Sequence, residues 1–63
     1  MTLSKINKEI KKFNLKLVKS RDYRGYNFTM VDINTGSDRL NLSWVSKLSD
    51  LNLNQWVYNA KTA

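Results

Sequence analysis

Residues 26–44, YNFTMVDINTGSDRLNLSW, contain the pattern that decides the fold. Residues 26–33 are rich in aromatic and β-branched side chains, and Tyr26, Phe28 and Met30 occupy every second position. Apolar residues alternate with polar ones over residues 40–44. A period of two residues is typical of strands with one buried face. The segment between them, DINTGS at 32–37, concentrates residues that favour turns. This stretch therefore predicts two antiparallel strands joined by a hairpin turn.

A further strand is predicted before this hairpin. Residues 15–19, LKLVK, mix apolar residues with lysine at a spacing close to two. Residues 20–22 are polar and are predicted to form a loop, and Gly25 marks the turn into the next strand.

A helix is predicted over residues 3–13, since apolar residues recur there at intervals of three and four. Thr2 or Ser4 can accept from a free backbone N–H at its start. Asn14 can end it in the left-handed conformation. The residues with this spacing are Leu3, Ile6, Ile10 and Phe13, followed by Leu17 in the first strand.

A second helix is predicted from Asn52, because Asn52 and Gln55 have the spacing of a capping box. The order α-β-β-β-α gives an α+β class: one domain over residues 1–63, with two helices packed on one face of a three-stranded antiparallel sheet. Trp44 and Trp56 are predicted to be buried, and Tyr58 is predicted to be exposed. The apolar residues of the second helix are Leu53, Trp56, Val57 and Ala60.

The net charge of +6 is confined to the first 24 residues, which carry eight basic and two acidic side chains. From Gly25 onward three basic residues balance three acidic ones. Charge clustered in this way indicates an acidic partner, because docking on an anionic surface relieves the self-repulsion.

Composition excludes several classes of function. The chain has no cysteine and no histidine, so disulfides and the usual transition-metal ligands are absent. A calcium loop at 32–43 is also rejected, since Ser43 stands where a bidentate carboxylate is required. We therefore predict no metal, no cofactor and no catalytic residues, and a protein that is not an enzyme.

No apolar run approaches the ~20 residues that span a bilayer, and no signal-peptide core is visible. These features predict a cytoplasmic location. An amphipathic first helix could lie on a membrane, but the domain core needs the same apolar side, so we predict no membrane partner.

Two groups of residues are candidate contacts for a partner. The first is a row of lysines along the outer side of the first helix, extended by Lys16; the alternative is a solvated helix face. The second is the predicted 21–26 loop, where arginine and tyrosine are interleaved, and its tyrosines can also be ordinary surface residues. The candidates are Lys5, Lys8, Lys12, Lys16, Arg21, Tyr23, Arg24 and Tyr26.

Three stretches carry a resemblance to a known group of proteins: the lysine-rich start, LKLVK at 15–19 followed by RGYNF at 24–28, and LNLNQWV at 51–57. Together they resemble small accessory proteins of tailed bacteriophages, with a G-Y-x-F strand and an L-x-L-x-Q-W helix. The resemblance implies a protein that binds and inhibits a host factor or a defence system, as anti-CRISPR proteins do.

The predicted order of elements also matches the double-stranded-RNA-binding domain. In that family a lysine cluster at the start of the second helix grips phosphates. Residues 52–58 contain no lysine, so the match is one of topology alone.

The leading hypothesis is a non-enzymatic binding protein that occludes an acidic surface of a host protein or ribonucleoprotein. The alternative is a basic module that binds nucleic acid through the first helix and residues 21–26. The sequence leaves open the identity of the target, the strand preference, the oligomeric state and whether the two groups share one face.

Overall fold

The structure is a computed structural model that describes residues 2–63, without the side chain of Asp22. It confirms the predicted α+β fold and the order α-β-β-β-α. The sheet is antiparallel throughout, with the strand order β1-β2-β3. The elements are α1 (Leu3–Ile10), β1 (Leu15–Asp22), β2 (Gly25–Asp32), β3 (Asp38–Leu42) and α2 (Leu53–Thr62).

Helix α1 begins and ends close to the predicted residues. The Thr2 hydroxyl accepts from the backbone N–H of Lys5 at 3.2 Å, so Thr2 is the N-cap and Ser4 is not. After Ile10 the chain tightens into a 3₁₀ turn, Lys11–Phe13. Asn14 then takes φ 62°, the left-handed conformation that ends the helical segment as predicted.

Strand β1 is longer than the sequence pattern indicates. It pairs with β2 along its whole length, from Leu15 opposite Asp32 to Asp22 opposite Gly25. The predicted loop at residues 20–22 is therefore wrong: those residues are strand, and the turn is only Tyr23–Arg24 with Gly25 at φ 119°. Backbone pairing with β2 holds this end in the strand conformation without any apolar alternation.

The β2–β3 hairpin has an irregular register. Phe28 lies opposite Leu42 and Met30 opposite Leu40, but Val31 lies opposite Asp38. One extra residue on β3 makes this a β-bulge, which strengthens the local twist. β3 ends at Leu42, two residues before the predicted end.

The core lies between the two helices and one face of the sheet. α1 contacts both β1 and α2, and the ring of Trp56 on α2 stands edge-on to Phe28 at 5.7 Å. The predicted apolar positions of both helices therefore meet in a single cluster. Its buried members are Ile6, Ile10, Leu15, Leu17, Phe28, Met30, Leu42, Val45, Leu51, Trp56 and Ala60.

The two tryptophans have different environments. Trp56 is fully buried, as predicted, and its indole N–H donates to the carbonyl of Leu48 at 3.0 Å. Trp44 is 66% exposed, so the prediction that it is buried is wrong. The chain leaves β3 at Leu42 and turns, with the N–H of Val45 donating to the Leu42 carbonyl, and Val45 enters the core instead.

Helix α1 is attached to β1 by one carboxamide. The Asn7 side-chain oxygen accepts from the N–H of Leu17, and its amide group donates to the Leu17 carbonyl at 3.4 Å. β2 pairs with the other edge of β1. Asn7 therefore satisfies both backbone groups of Leu17 on the edge that faces away from the sheet.

Candidate binding surface

The tip of the β1–β2 hairpin gathers cations around a tyrosine ring. Arg21 lies directly opposite Tyr26 across the two strands. The Lys19 ammonium lies 4.2 Å from the centre of the Tyr26 ring, and the Arg21 guanidinium carbon lies 5.6 Å from it. Side chains opposite or diagonal across a strand pair meet in this way, and both distances are within cation–π range.

The turn between the strands carries a second such pair. Tyr23 is 92% exposed, and the Arg24 guanidinium carbon lies 5.3 Å from the centre of its ring. Tyr26 is half-exposed. Five residues thus form what we call the hairpin cluster: Lys19, Arg21, Tyr23, Arg24 and Tyr26.

Four of these five residues are among the candidates that the sequence indicates, and Lys19 is the additional one. Arg21 and Tyr26 belong to paired strands and not to the predicted loop. Had residues 20–22 been extended as strand, Lys19 and Arg21 would have fallen on one side of β1, which is the signal that was missed.

Three of the lysine candidates lie along the exposed side of α1 and its 3₁₀ extension. Lys5, Lys8 and Lys12 are exposed, whereas Ile6 and Ile10 on the other side of α1 are buried. Among the described contacts, no ring or ion contact joins these lysines to the hairpin cluster. The Lys12 ammonium instead lies 5.4 Å from the centre of the Phe13 ring.

Lys16 is also exposed, and alternation along β1 places it on the face opposite Lys19 and Arg21. That face is polar at its centre, where Asn41 donates to the Thr29 hydroxyl at 2.9 Å. The structure therefore places Arg21, Tyr23, Arg24 and Tyr26 at the tip of the β1–β2 hairpin and Lys16 on the opposite face of the sheet. It shows no described contact between the α1 lysines and the hairpin cluster.

Most of the basic side chains in the first 21 residues have no ionic partner within the part of the chain that the structure describes. Between described side chains, no ion pair involves the lysines at positions 5 to 19 or Arg21. Arg39 does pair with Asp32, at 3.4 Å. The lysines at positions 5 to 19 and Arg21 therefore keep their positive field available for a partner.

The carboxylates of Asp32 and Asp50 accept hydrogen bonds from the backbone of neighbouring turns. The backbone N–H of Thr35 donates to Asp32 at 3.0 Å, and this bond, with that of Asn34 at 2.9 Å, lowers the pKa of Asp32. The backbone N–H groups of Ser46 and Lys47 likewise lower the pKa of Asp50. Both carboxylates stabilise turns, as hydrogen bonds to an ionised carboxylate do.

A groove of about 540 Å³ begins next to the hairpin cluster and shares Lys19 with it. Leu3 from α1, Phe28 from β2 and Leu48 give it apolar walls, and Lys47 adds a second cation.

A second groove, of about 380 Å³, lies between α2 and the segment after β3. Trp44 and Tyr58 line it, and both rings are 66% exposed, so the prediction that Tyr58 is exposed is confirmed. The rest of the lining is Leu51 and carboxamides, with no charged side chain. The carboxamides are those of Asn52, Asn54, Gln55 and Asn59.

Comparison of the chain with protein-family models, with curated proteins and with solved structures finds no match. Within residues 2–63 no group of three or more histidine, cysteine, aspartate or glutamate side chains is placed to hold a metal ion. None of the helices described is both long enough and apolar enough to cross a membrane.

Proposed function

We propose that this chain is a non-enzymatic binding protein of the bacteriophage accessory type, which docks the hairpin cluster on an acidic surface of a host protein or defence complex. The observation that carries the proposal is the Tyr26 ring with Lys19 and Arg21 both directed at it, next to the exposed pair Tyr23 and Arg24. The cytoplasm of the host cell is the proposed location.

The composition of the cluster supports a protein partner. Tyrosine and arginine are enriched among the residues that contribute most to protein interfaces. Lysine and arginine held against a ring are partly ordered before binding, so less side-chain entropy is lost when a carboxylate replaces water around them.

The lysines of α1 have a separate role in this proposal. They are exposed along α1 and make no described ring or ion contact with the hairpin cluster. Lys5, Lys8 and Lys12 therefore raise the rate of encounter with an acidic partner, whereas the cluster determines how long the complex lasts.

The experiment measures binding of a fluorescein-labelled polyglutamate peptide by anisotropy, at about 50 mM and about 200 mM salt. We expect binding that weakens with salt and that Tyr26→Ala weakens about tenfold, the effect of losing one strong interface residue. Tyr58→Ala is the matched control, since Tyr58 is an exposed tyrosine outside the cluster. Equal effects of the two substitutions, or no binding at the lower salt, would refute the proposal.

Nucleic acid is the second candidate, and one specific observation favours it. Tyr23 is almost fully exposed beside Arg24, and an exposed ring next to a cation can stack on an unpaired base. The same titration with a labelled single strand and a labelled duplex separates the two candidates. Tighter binding of the single strand than of polyglutamate, lost in Tyr23→Ala, would replace the protein partner by single-stranded nucleic acid.

A further inference from the structure

The groove beside the hairpin cluster combines an apolar interior with a basic rim. Leu3 and Leu48 are half-buried, and Phe28 closes the inner end as part of the core. Lys19 and Lys47 provide the charge, and no carboxylate side chain lines the groove within the described residues. Asp50, which follows the groove residue Ser49 in the sequence, accepts hydrogen bonds from the backbone N–H groups of Ser46 and Lys47.

Lys19 connects this groove to the cluster. Its ammonium lies over the Tyr26 ring, and its side chain also lines the groove. A ligand that contacts both Tyr26 and Lys19 therefore lies next to the groove. The volume of about 540 Å³ lies in the range of about 300–1,000 Å³ that is usual for ligand sites.

We propose that the groove receives one bulky apolar side chain of an acidic peptide segment whose carboxylates engage Lys19, Lys47 and Arg21. This inference rests on the proposed function and specifies the chemistry of the partner. Charge complementarity selects an acidic segment, and the apolar walls select a side chain such as leucine or phenylalanine within it.

Apolar contact and charge have different parts in such a site. The carboxylates attract the segment at a distance, and their contribution falls as salt rises. Burying the apolar side chain removes Leu3 and Leu48 from water, and this contribution is insensitive to moderate salt. The site thereby discriminates between acidic segments that polyanion binding alone treats as equal.

The test compares two labelled polyglutamate peptides that differ only in one central residue, leucine or alanine. On the unmodified protein we expect the leucine peptide to bind about tenfold more tightly, as burial of somewhat more than half of its three additional carbon groups in an open groove predicts. Ser49→Trp places a large ring in the groove, since Ser49 lines it and is exposed. We expect this variant to bind both peptides with the affinity of the alanine peptide, and the control Ser49→Ala to keep the preference.

The outcomes separate this inference from the proposed function. If both peptides bind equally to the unmodified protein, or if the preference persists in Ser49→Trp, the groove proposal is overturned and the hairpin cluster keeps its role. If neither peptide binds at about 50 mM salt, both proposals fail. Should Ser49→Trp not fold, methyl NMR of the unmodified protein decides: only the leucine peptide is expected to shift the signals of Leu3 and Leu48.

Discussion

At the scale of single residues, Trp56 is the side chain on which the core depends most. It is fully buried, it packs edge-on against Phe28, and its N–H satisfies the carbonyl of Leu48. One side chain thus connects α2, the sheet and the segment before α2. A chain of 63 residues has a total stability of about 3–9 kcal/mol, so a loss at this site is a large fraction of it.

We predict that Trp56→Phe lowers the free energy of unfolding by about 2 kcal/mol, because the Leu48 carbonyl loses its donor and the smaller ring leaves a void. Urea denaturation followed by far-UV circular dichroism measures the change. Trp44→Phe is the control and is expected to change stability by less than about 0.5 kcal/mol, since Trp44 is exposed. Equal effects of the two substitutions would contradict the assignment of Trp56 to the core.

Asp32 gives the protein a dependence on pH. The N–H groups of Thr35 and Asn34 and the charge of Arg39 hold the pKa of its carboxyl below the usual value. A carboxyl with a lowered pKa in the folded state contributes stability above the unfolded-state pKa, near 4, and this contribution is lost as pH falls through the folded-state value.

We therefore expect the free energy of unfolding to decrease as pH is lowered from about 5 to about 2, and to decrease less in Asp32→Asn. Urea denaturation at a series of pH values provides the measurement. Asp38→Asn is the matched control, because Asp38 is an exposed carboxylate of the β2–β3 hairpin, to which Asp32 also belongs. A slope in Asp32→Asn equal to that of the unmodified protein would show that Asp32 forms no such bonds.

The sequence predicted most buried positions. It wrongly placed Trp44 in the core and omitted Lys19 from the candidate site, and each difference has a physical reason. Trp44 keeps the alternation of Leu40 and Leu42, but alternation places a side chain only while the strand continues, and β3 ends at Leu42. Lys19 was missed because its contact is with Tyr26 on another strand. Its place depends on the register of the pair, which is set by the length of the hairpin turn.

At the scale of elements, the contact between α1 and β1 depends on a polar residue as well as on apolar ones. Asn7 uses both its acceptor and its donor on the backbone of Leu17. At neutral pH a carboxamide offers both groups with this spacing, whereas an ionised carboxylate only accepts. Apolar periodicity predicted that α1 packs on the sheet, but it contains no information about which strand edge a polar side chain covers.

We predict that Asn7→Asp destabilises the fold by about 1–2 kcal/mol at neutral pH, because a carboxylate has no proton to donate to the Leu17 carbonyl. Repulsion from that carbonyl raises the pKa of the introduced carboxyl in the folded state. The difference from the unmodified protein should therefore shrink as pH falls and the carboxyl becomes protonated.

Urea denaturation near pH 7 and pH 3 measures the difference. Asn54→Asp serves as the control: Asn54 is exposed in the first turn of α2, where a negative charge is neutral or slightly stabilising. A deficit in Asn7→Asp that does not change with pH would argue against the paired hydrogen bonds to Leu17.

The end of β1 at Asp22 is the element boundary that the sequence pattern did not predict. Leu15 and Leu17 show the alternation because they belong to the core, whereas the rest of β1 contributes no residue to that cluster among those described. A strand end that covers no core needs no apolar pattern and is held by its partner strand. Residues 21–26 were therefore predicted to be a loop, because residues 20–22 lack the apolar alternation of a strand that covers a core.

At the scale of the whole molecule, the clustered charge opposes folding to a small extent. The basic residues from Lys5 to Arg21 make no ion pairs among the described side chains, so their repulsion is reduced only by solvent and salt. The Debye length falls from about 30 Å at 0.01 M salt to about 8 Å at 0.15 M.

We expect the midpoint of thermal unfolding to rise by several degrees over this range of sodium chloride, because screening relieves repulsion in the folded state. Circular dichroism during heating detects the shift. A variant carrying both Lys8→Glu and Lys12→Glu, which lowers the net charge from +6 to +2, should show a smaller rise. The same rise in both proteins would mean that the α1 lysines contribute little to the repulsion.

The contact between α1 and α2 also has a consequence for the order in which the chain folds during its synthesis. α1 and the β1–β2 hairpin leave the ribosome early, yet Ile6 and Ile10 are buried against a core that includes Trp56 and Ala60. Until residues 53–62 have been synthesised, the apolar side of α1 lacks its partner helix. Folding of this domain is therefore expected to be completed after translation of α2, as one cooperative step in which the first and last elements close on each other.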